Sequence, residues 1–392
     1  MKVRIFIATI IVCVLAVGGC LTADFLTTPE EPVFAEDFST LPTTIKHDPI
    51  SCDGIKQGAI ASKNYGLIAS CGENKKMPIA SMTKIITALV VVNEKRDRLD
   101  DIITLNSDDV KDWEQIVAMH GTNIRIFDGE KLSVRKMLTG MMVASANNIA
   151  NSLAVHLFSS MDEYFSVARK YLEEHDILDT VVGQDASGFS EQNMSTAKDM
   201  VKLGVLAIKD DDLSEIVKHR TVEFPSADSQ GAENETERST TYLHLDQSFV
   251  GVKSGYTEDA GYCLTFAKPA ASADSDEIVG TIMGGDEGYD YHNVDEFVDN
   301  ANKRLEPSVI AQAGAKVGNL SYDSRMRHWD FAVQVDKDQK KVLPYDCQLS
   351  HESNLYDFDD MPAISISTVC NNERAEFDVS IKSFEKPRGV FR

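Results

Sequence analysis

Lys76-Met77-Pro78-Ile79-Ala80-Ser81-Met82-Thr83-Lys84-Ile85-Ile86-Thr87-Ala88-Leu89-Val90-Val91-Val92 turns, after Ser81, into a run that is apolar on every side. A helix that is hydrophobic all round belongs inside a large domain. Ser81 and Lys84 stand three apart at its head, so they share a helix face and the amine can reach the hydroxyl. Burial disfavours an ammonium, which lowers the lysine pKa and leaves a neutral amine able to take the proton of a nucleophilic serine. Backbone N–H groups at the helix start can stabilise an oxyanion. Spacing alone carries little weight, because Ser133/Lys136, Ser195/Lys198 and Ser383/Lys386 repeat it. Each of those reads as a capping serine followed by a solvated lysine.

Two further motifs give the first its context. Ser145-Ala146-Asn147 follows the helical run Lys136–Ala144; a hydroxyl and an amide on one loop can relay a proton and hold a substrate carbonyl. Taken alone it is weak, since Ser62-Lys63-Asn64 has the same form and reads as a hairpin turn. Lys253-Ser254-Gly255 lies in the extended run Phe249–Thr257. Its cation and hydroxyl suit a carboxylate, and Gly255 lets a backbone approach closely.

The order Ser-x-x-Lys, Ser-x-Asn, Lys-[Ser/Thr]-Gly, at Ser81, Ser145 and Lys253, is the motif set of the serine penicillin-recognising enzymes. The surroundings Met77–Lys84, Gly251–Thr257 and Ala260–Leu264, with Asp185-Ala186-Ser187-Gly188 and Ser195–Asp199, resemble low-molecular-weight penicillin-binding proteins, the serine-type D-alanyl-D-alanine carboxypeptidases of peptidase family S11. The resemblance covers roughly residues 50 to 290 and implies an α/β (α+β) transpeptidase fold of the penicillin-binding-protein/β-lactamase kind. It implies Ser81 as nucleophile, Lys84 as base and Ser145 as proton shuttle. Asn147 would hold the peptide, Lys253, Ser254 and Gly255 would form the carboxylate side, and the N–H groups of Ser81 and Tyr256 the oxyanion site. It further implies a peptidoglycan stem peptide as substrate, β-lactams as covalent inhibitors, and neither metal nor organic cofactor.

This chain departs from the family pattern at named positions. Ala146 and Asn148 stand where glycine and aspartate are usual, which predicts an altered loop; Ser254 replaces threonine but keeps the hydroxyl. Ser239–Leu243 lacks the asparagines often found before the third motif. A class A β-lactamase would add a deacylating glutamate, and Glu191-Gln192-Asn193 approaches that segment with the wrong spacing. A DD-endopeptidase is a further alternative. A non-catalytic cell-wall-binding lipoprotein is another, against which the intact Ser81 and Lys84 argue.

Composition bounds the rest. In 392 residues, 43% hydrophobic and 26% charged, 39 Lys and Arg face 62 Asp and Glu, for a net charge of -23. That excludes a disordered chain and argues against nucleic acid, whose phosphates need clustered cations. Lys2 and Arg4 precede the apolar run Ile5–Gly19, which suits a signal peptide over residues 1–20. Cleavage before Cys20 would make a lipoprotein, cleavage after Ala35 a secreted protein, and an uncleaved segment an anchor. Each version places the chain outside the cytoplasmic membrane. The terminal Glu385–Arg392 has proline and glycine where family members often carry a membrane helix, so attachment, if any, falls to the N-terminus.

Export permits disulfides. Cys52 and Cys71 flank a hairpin, Ala59–Ala61 and Leu67–Ala69, and Cys347 and Cys370 bracket a short stretch. Two bridges and a buried free Cys263 are expected. The acidic, proline-containing residues 21–45 read as a linker, and residues 46–305 as the peptidase domain. Residues 306–392 alternate with period two, as at Phe331, Val333 and Val335, and read as a smaller β-rich domain.

Overall fold

The computed structural model describes residues 33–45, 50–63, 66–224, 235–240, 249–268, 277–286, 294, 297, 308–323, 328–341, 347–358, 361–370 and 373–381. The chain divides into two compact units, residues 47–306 and residues 1–46 with 307–392.

In the larger unit the hairpin of β1 (Gln57–Ser62) and β2 (Gly66–Gly72) forms where the apolar runs Ala59–Ala61 and Leu67–Ala69 predict it. Cys52 and Cys71 are joined across it, closing a loop of 19 residues; such a cross-link stabilises by about 3 kcal/mol, mainly by restricting the unfolded chain. The apolar run becomes a single 3₁₀ turn, Ala80–Met82, that opens directly into α1 (Thr83–Lys95). Ten consecutive residues, Thr83 to Val92, are buried. Each fully buried Val, Leu or Ile contributes roughly 1.5–3 kcal/mol, which offsets the cost of burying Lys84 among them. α2 (Ser107–Ala118) packs on α4 (Asn147–Phe158), and around α1 stand α4, α3 (Val134–Val143), α5 (Met161–Glu174) and α6 (Ala197–Lys209). Ser133 caps α3, its hydroxyl accepting from the Lys136 N–H, the capping role expected of that repeat.

β3 (Val250–Thr257), β4 (Gly261–Lys268) and β5 (Ile278–Gly285) complete an antiparallel sheet of order β3-β4-β5-β1-β2. β3 is an edge strand of this sheet and runs beside the 3₁₀ turn that carries Ser81. Cys263 on β4 is a buried free thiol that burial pushes up to about 11. Among the described residues no helix is long and apolar enough to cross a membrane.

The second unit is a seven-stranded sheet built on β6 (Lys316–Asp323), β7 (His328–Gln334), β8 (Cys347–Phe358), β9 (Met361–Cys370) and β10 (Glu373–Ile381). Val317, Leu320, Val333, Ile364 and Ile366 share its core. Here the linker reading of residues 21–45 needs correction. Val33–Glu36 pairs antiparallel with β6, Val33 opposite Ser321, and Thr44–Ile45 pairs with the start of β8, Ile45 opposite Cys347. These segments form the two outer strands of the sheet. With four and two residues they are too short to show a period, and their partners lie near the other end of the chain. The register sets Cys370 opposite Leu349, two residues past Cys347. The side chains of Cys347 and Cys370 lie outside the described residues, as do the signal segment 1–20, the rest of 21–32 and the terminal 382–392.

Candidate functional site

Ser81 sits in the 3₁₀ turn, and its position is set from the residue before. Ala80 has a left-handed backbone, φ 45°, which a residue with a Cβ adopts only at a cost of about 1–2 kcal/mol. The Thr83 hydroxyl donates to the Ala80 carbonyl at 2.9 Å and holds that turn. One turn further into the helix, the Lys84 amine lies 2.8 Å from Ser81 Oγ. It donates to Asn147 Oδ1 at 2.7 Å and to the Ser187 carbonyl at 2.8 Å. Lys84 is fully buried. Burial lowers its pKa well below the ordinary lysine value, the nearby Lys253 cation adds to that, and Asp185 opposes it.

The expected pair Ser145 and Asn147 occupies the break between α3 and α4. Ser145 is itself in the left-handed region, φ 61°, whereas Ala146 is at φ −63°. No glycine is required at 146, so the departure at that position adds no backbone strain of its own. Asn147 opens α4 and reaches Lys84. The unusual Asn148 is buried and pairs in both directions with one backbone residue, donating to the Ile124 carbonyl at 2.8 Å and accepting from the Ile124 N–H at 3.1 Å.

β3 brings up the third motif. A Cβ on Gly255 would fall 2.8 Å from Ser81 N, so only glycine lets this strand lie so close to that backbone. Lys253 is fully buried, and burial pushes its ammonium down to about 7. Its Nζ donates to the Ser254 carbonyl at 2.9 Å and to Thr240 Oγ1 at 3.3 Å. Ser254 Oγ donates to the Thr240 carbonyl at 3.0 Å. Tyr256 is exposed and stacks on Tyr262 with ring centroids 4.6 Å apart. Thr241–Leu243, where the missing asparagines would stand, lie outside the described residues.

Two contributors escaped the motif reading. Thr240 contacts both polar members of the third motif, and the Ser187 carbonyl is a third contact of Lys84. The loop carrying Ser187 is held by Asp185, whose Oδ1 accepts from the N–H groups of Ser187 at 2.7 Å and Gly188 at 2.5 Å, and whose Oδ2 accepts from Ser190 N–H at 2.7 Å. The Asp-x-Ser-Gly order is an Asx-turn signal and could have pointed there. Thr87 on α1 donates to the Ala186 carbonyl at 2.6 Å, and Asn151 on α4 accepts from the Ala186 N–H at 3.3 Å. Glu191 is exposed, and its carboxyl is raised by a hydrogen bond with Asp259. Ser195 Oγ, in another of the repeated spacings, bonds Thr180 Oγ1 at 2.6 Å.

Residues 44–286 match the profile of Peptidase_S11, described as D-alanyl-D-alanine carboxypeptidase. The chain is 27% identical over 218 residues to D-alanyl-D-alanine carboxypeptidase DacF of Bacillus subtilis, covering 54% of this chain and 53% of that protein. It is 27% identical over 211 residues to a D-alanyl-D-alanine endopeptidase of Pseudomonas aeruginosa, covering 52% and 64%. The crystal structure of the Streptomyces K15 DD-transpeptidase is similar at a TM-score of 0.57 and 20% identity, over 65% of this chain and 98% of that one. A D-alanyl-D-alanine carboxypeptidase structure from Mycobacterium tuberculosis gives the same TM-score at 20% identity, over 66% and 95%; both likenesses concern the fold. The chain spans about half the length of curated relatives such as DacF. With more than half of its residues inside the matched region, the chain belongs to peptidase family S11, the D-alanyl-D-alanine carboxypeptidases.

Proposed function

We propose that the protein is a serine D-alanyl-D-alanine carboxypeptidase of the cell envelope, which removes the terminal D-alanine of peptidoglycan stem peptides and is acylated by β-lactams. One observation carries the reading. A neutral amine has two N–H groups and one lone pair, and two of the three contacts of Lys84 Nζ are carbonyl oxygens, of Asn147 and Ser187. The lone pair is thereby left for the third contact, the Ser81 hydroxyl at 2.8 Å.

In this reading Lys84 takes the Ser81 proton as Oγ attacks the penultimate carbonyl. The N–H groups of Ser81 and Tyr256 receive the oxyanion. Ser145 passes a proton to the departing D-alanine amine. Water then releases the acyl group, with Lys84 again as base. Asn147 holds the peptide, and Lys253 with Ser254 holds the terminal carboxylate. The exposed Glu191 gives no support to a class A β-lactamase, since it is hydrogen-bonded to Asp259. A DD-endopeptidase is the second reading, favoured by the endopeptidase among the relatives. No cofactor enters the scheme.

An extracytoplasmic location is supported by the Cys52–Cys71 bridge, which suits an oxidising compartment. Cleavage after Ala35 would sever the strand Val33–Glu36, which favours the earlier site before Cys20.

The test is incubation with a fluorescent penicillin and, separately, with a peptide ending in D-Ala-D-Ala. Covalent labelling and D-alanine release are expected in the wild type and absent in Ser81→Ala. Labelling that survives the substitution would refute Ser81 as nucleophile, and binding without acylation would favour the non-catalytic alternative.

A further inference from the structure

Asn147 carries the oxygen that steers Lys84, and it is the first residue of α4, a helix whose start has no side-chain cap. Such a start leaves backbone N–H groups that need partners from outside the helix. The Asn147 N–H finds one in the Thr122 carbonyl, at 2.9 Å. Where Asn147 stands therefore depends on the segment that follows α2 and holds Thr122.

That segment is braced on both sides of Thr122. His120 ends α2 in the left-handed region, φ 58°, and the Gly121 N–H returns to the Ile116 carbonyl at 2.8 Å. Asn123 ties the other side. Its Oδ1 accepts from Trp113 Nε1 at 2.9 Å, and its Nδ2 donates to the Gly121 carbonyl at 2.9 Å. An indole N–H can only donate, so it fixes which end of the Asn123 amide faces it and leaves the amino end for Gly121. Next along, Ile124 is held through both its backbone groups by Asn148. One indole on α2 thus orients one amide, and that amide closes the turn whose middle carbonyl, of Thr122, holds Asn147. Trp113 and Asn123 are half-buried and belong to none of the three motifs.

We infer that Trp113 and Asn123 are positioning residues for the general base: through Thr122 and Asn147 they keep the Lys84 lone pair on Ser81. The inference rests on the peptidase reading and adds to it two residues that touch no reacting atom. Without the brace the Thr122 carbonyl is free to shift and to draw the head of α4 with it. Asn147 Oδ1, now 2.7 Å from Lys84 Nζ, then leaves one amine N–H without its acceptor, and the amine can turn its lone pair away from the hydroxyl. Proton transfer slows, while Lys253 and Ser254 stay in place on β3 and keep their hold on a carboxylate.

The experiment follows fluorescent-penicillin labelling over a range of penicillin concentrations, which separates the initial dissociation constant from the acylation rate constant. The variants are Trp113→Phe, Asn123→Ala, Asn147→Ala, and each of the first two combined with Asn147→Ala. Trp113→Phe keeps an aromatic ring on α2 and Asn123→Ala trims a half-buried loop residue, so the brace is reached by two independent routes. Each should lower the acylation rate constant about tenfold, with the dissociation constant within about twofold of the wild type. Because both act through Asn147, neither should cost more than about a further twofold once Asn147 is alanine. Wild-type acylation in the folded single variants, checked by thermal unfolding, would overturn the positioning role, and so would losses that multiply with that of Asn147→Ala. Those outcomes leave the peptidase reading standing; failure of the wild type to be labelled at all would overturn that reading and the positioning role together.

Discussion

Gly188 meets the Ala80 carbonyl where no side chain can stand: a Cβ at 188 would fall 1.8 Å from that oxygen, and the glycine is at φ +81°. The loop that positions the Ser187 carbonyl is thereby pressed against the residue preceding Ser81. Gly188→Ala should cost about 2 kcal/mol or more in stability from the backbone alone. It should also depress penicillin acylation at least tenfold, because the loop must retreat from Lys84. Thermal unfolding and labelling kinetics check both effects; wild-type labelling in a folded variant would show that the close approach is not needed.

Thr240 offers a cleaner dissection, because its hydroxyl touches Lys253 and the Ser254 hydroxyl while its carbonyl serves Ser254 separately. Thr240→Val removes only the hydroxyl. KM for a peptide with a free terminal carboxylate should rise about three- to tenfold, with kcat within about twofold. A fall in kcat at constant KM would place Thr240 with the acyl-transfer groups instead.

The buried Lys253 predicts a pH dependence of definite sign. Its pKa is about 7 in the folded chain, against roughly 10.4 for an unfolded lysine. Between these values the folded state binds fewer protons than the unfolded one, so this group's contribution to stability rises with pH across about 7 to 10. Below pH 7 the penalty for the buried cation is present in full. Lys253→Met should therefore gain on the wild type most at pH 6, with the gap closing toward pH 10. In the free enzyme the cation is lost above about 7, so affinity for a carboxylate-terminated peptide should weaken from pH 6 to 9, while its amide shows no such trend. Denaturation at several pH values and a pair of peptide titrations would decide it.

Asn148 stands where relatives are expected to carry aspartate, and here its amide both gives and accepts a bond with Ile124. Asn148→Asp turns the donor into an acceptor that faces a carbonyl inside the protein. A loss of about 2–4 kcal/mol is expected, checked by chemical denaturation. A neutral or stabilising result would mean that the loop can turn the carboxylate toward another donor.

Much of the larger unit was legible because its signals are local. The apolar run after Ser81 announced a buried helix, the two apolar runs Ala59–Ala61 and Leu67–Ala69 announced a hairpin, and each of the three motifs occupies one short stretch of chain. What escaped is held by distant pairings. Thr240 matters only because the fold lays it against β3, and the Ser187 contribution is a carbonyl oxygen that every residue possesses. The left-handed turn at Ser145 is not announced either, since serine seldom takes that conformation. In the second unit the alternation of β7 and β9 was plain. The strands Val33–Glu36 and Thr44–Ile45 were hidden by their brevity, their acidic and proline-rich setting and the remoteness of their partners.

Those two short strands also impose an order of events on biosynthesis. Val33 must wait for Ser321, roughly 290 residues later, before it has anything to pair with. The intervening residues 47–306 hold a compact unit of their own, which can emerge and fold first while the early segment stays unpaired. Until the last strands arrive, both flanks of the second sheet are open to other chains; once they close, the flanks are two very short strands, a form that offers little template for aggregation. A chain cut anywhere between the two halves of that sheet would expose β6 and β8 together, so truncation is expected to show itself first as self-association rather than as lost activity.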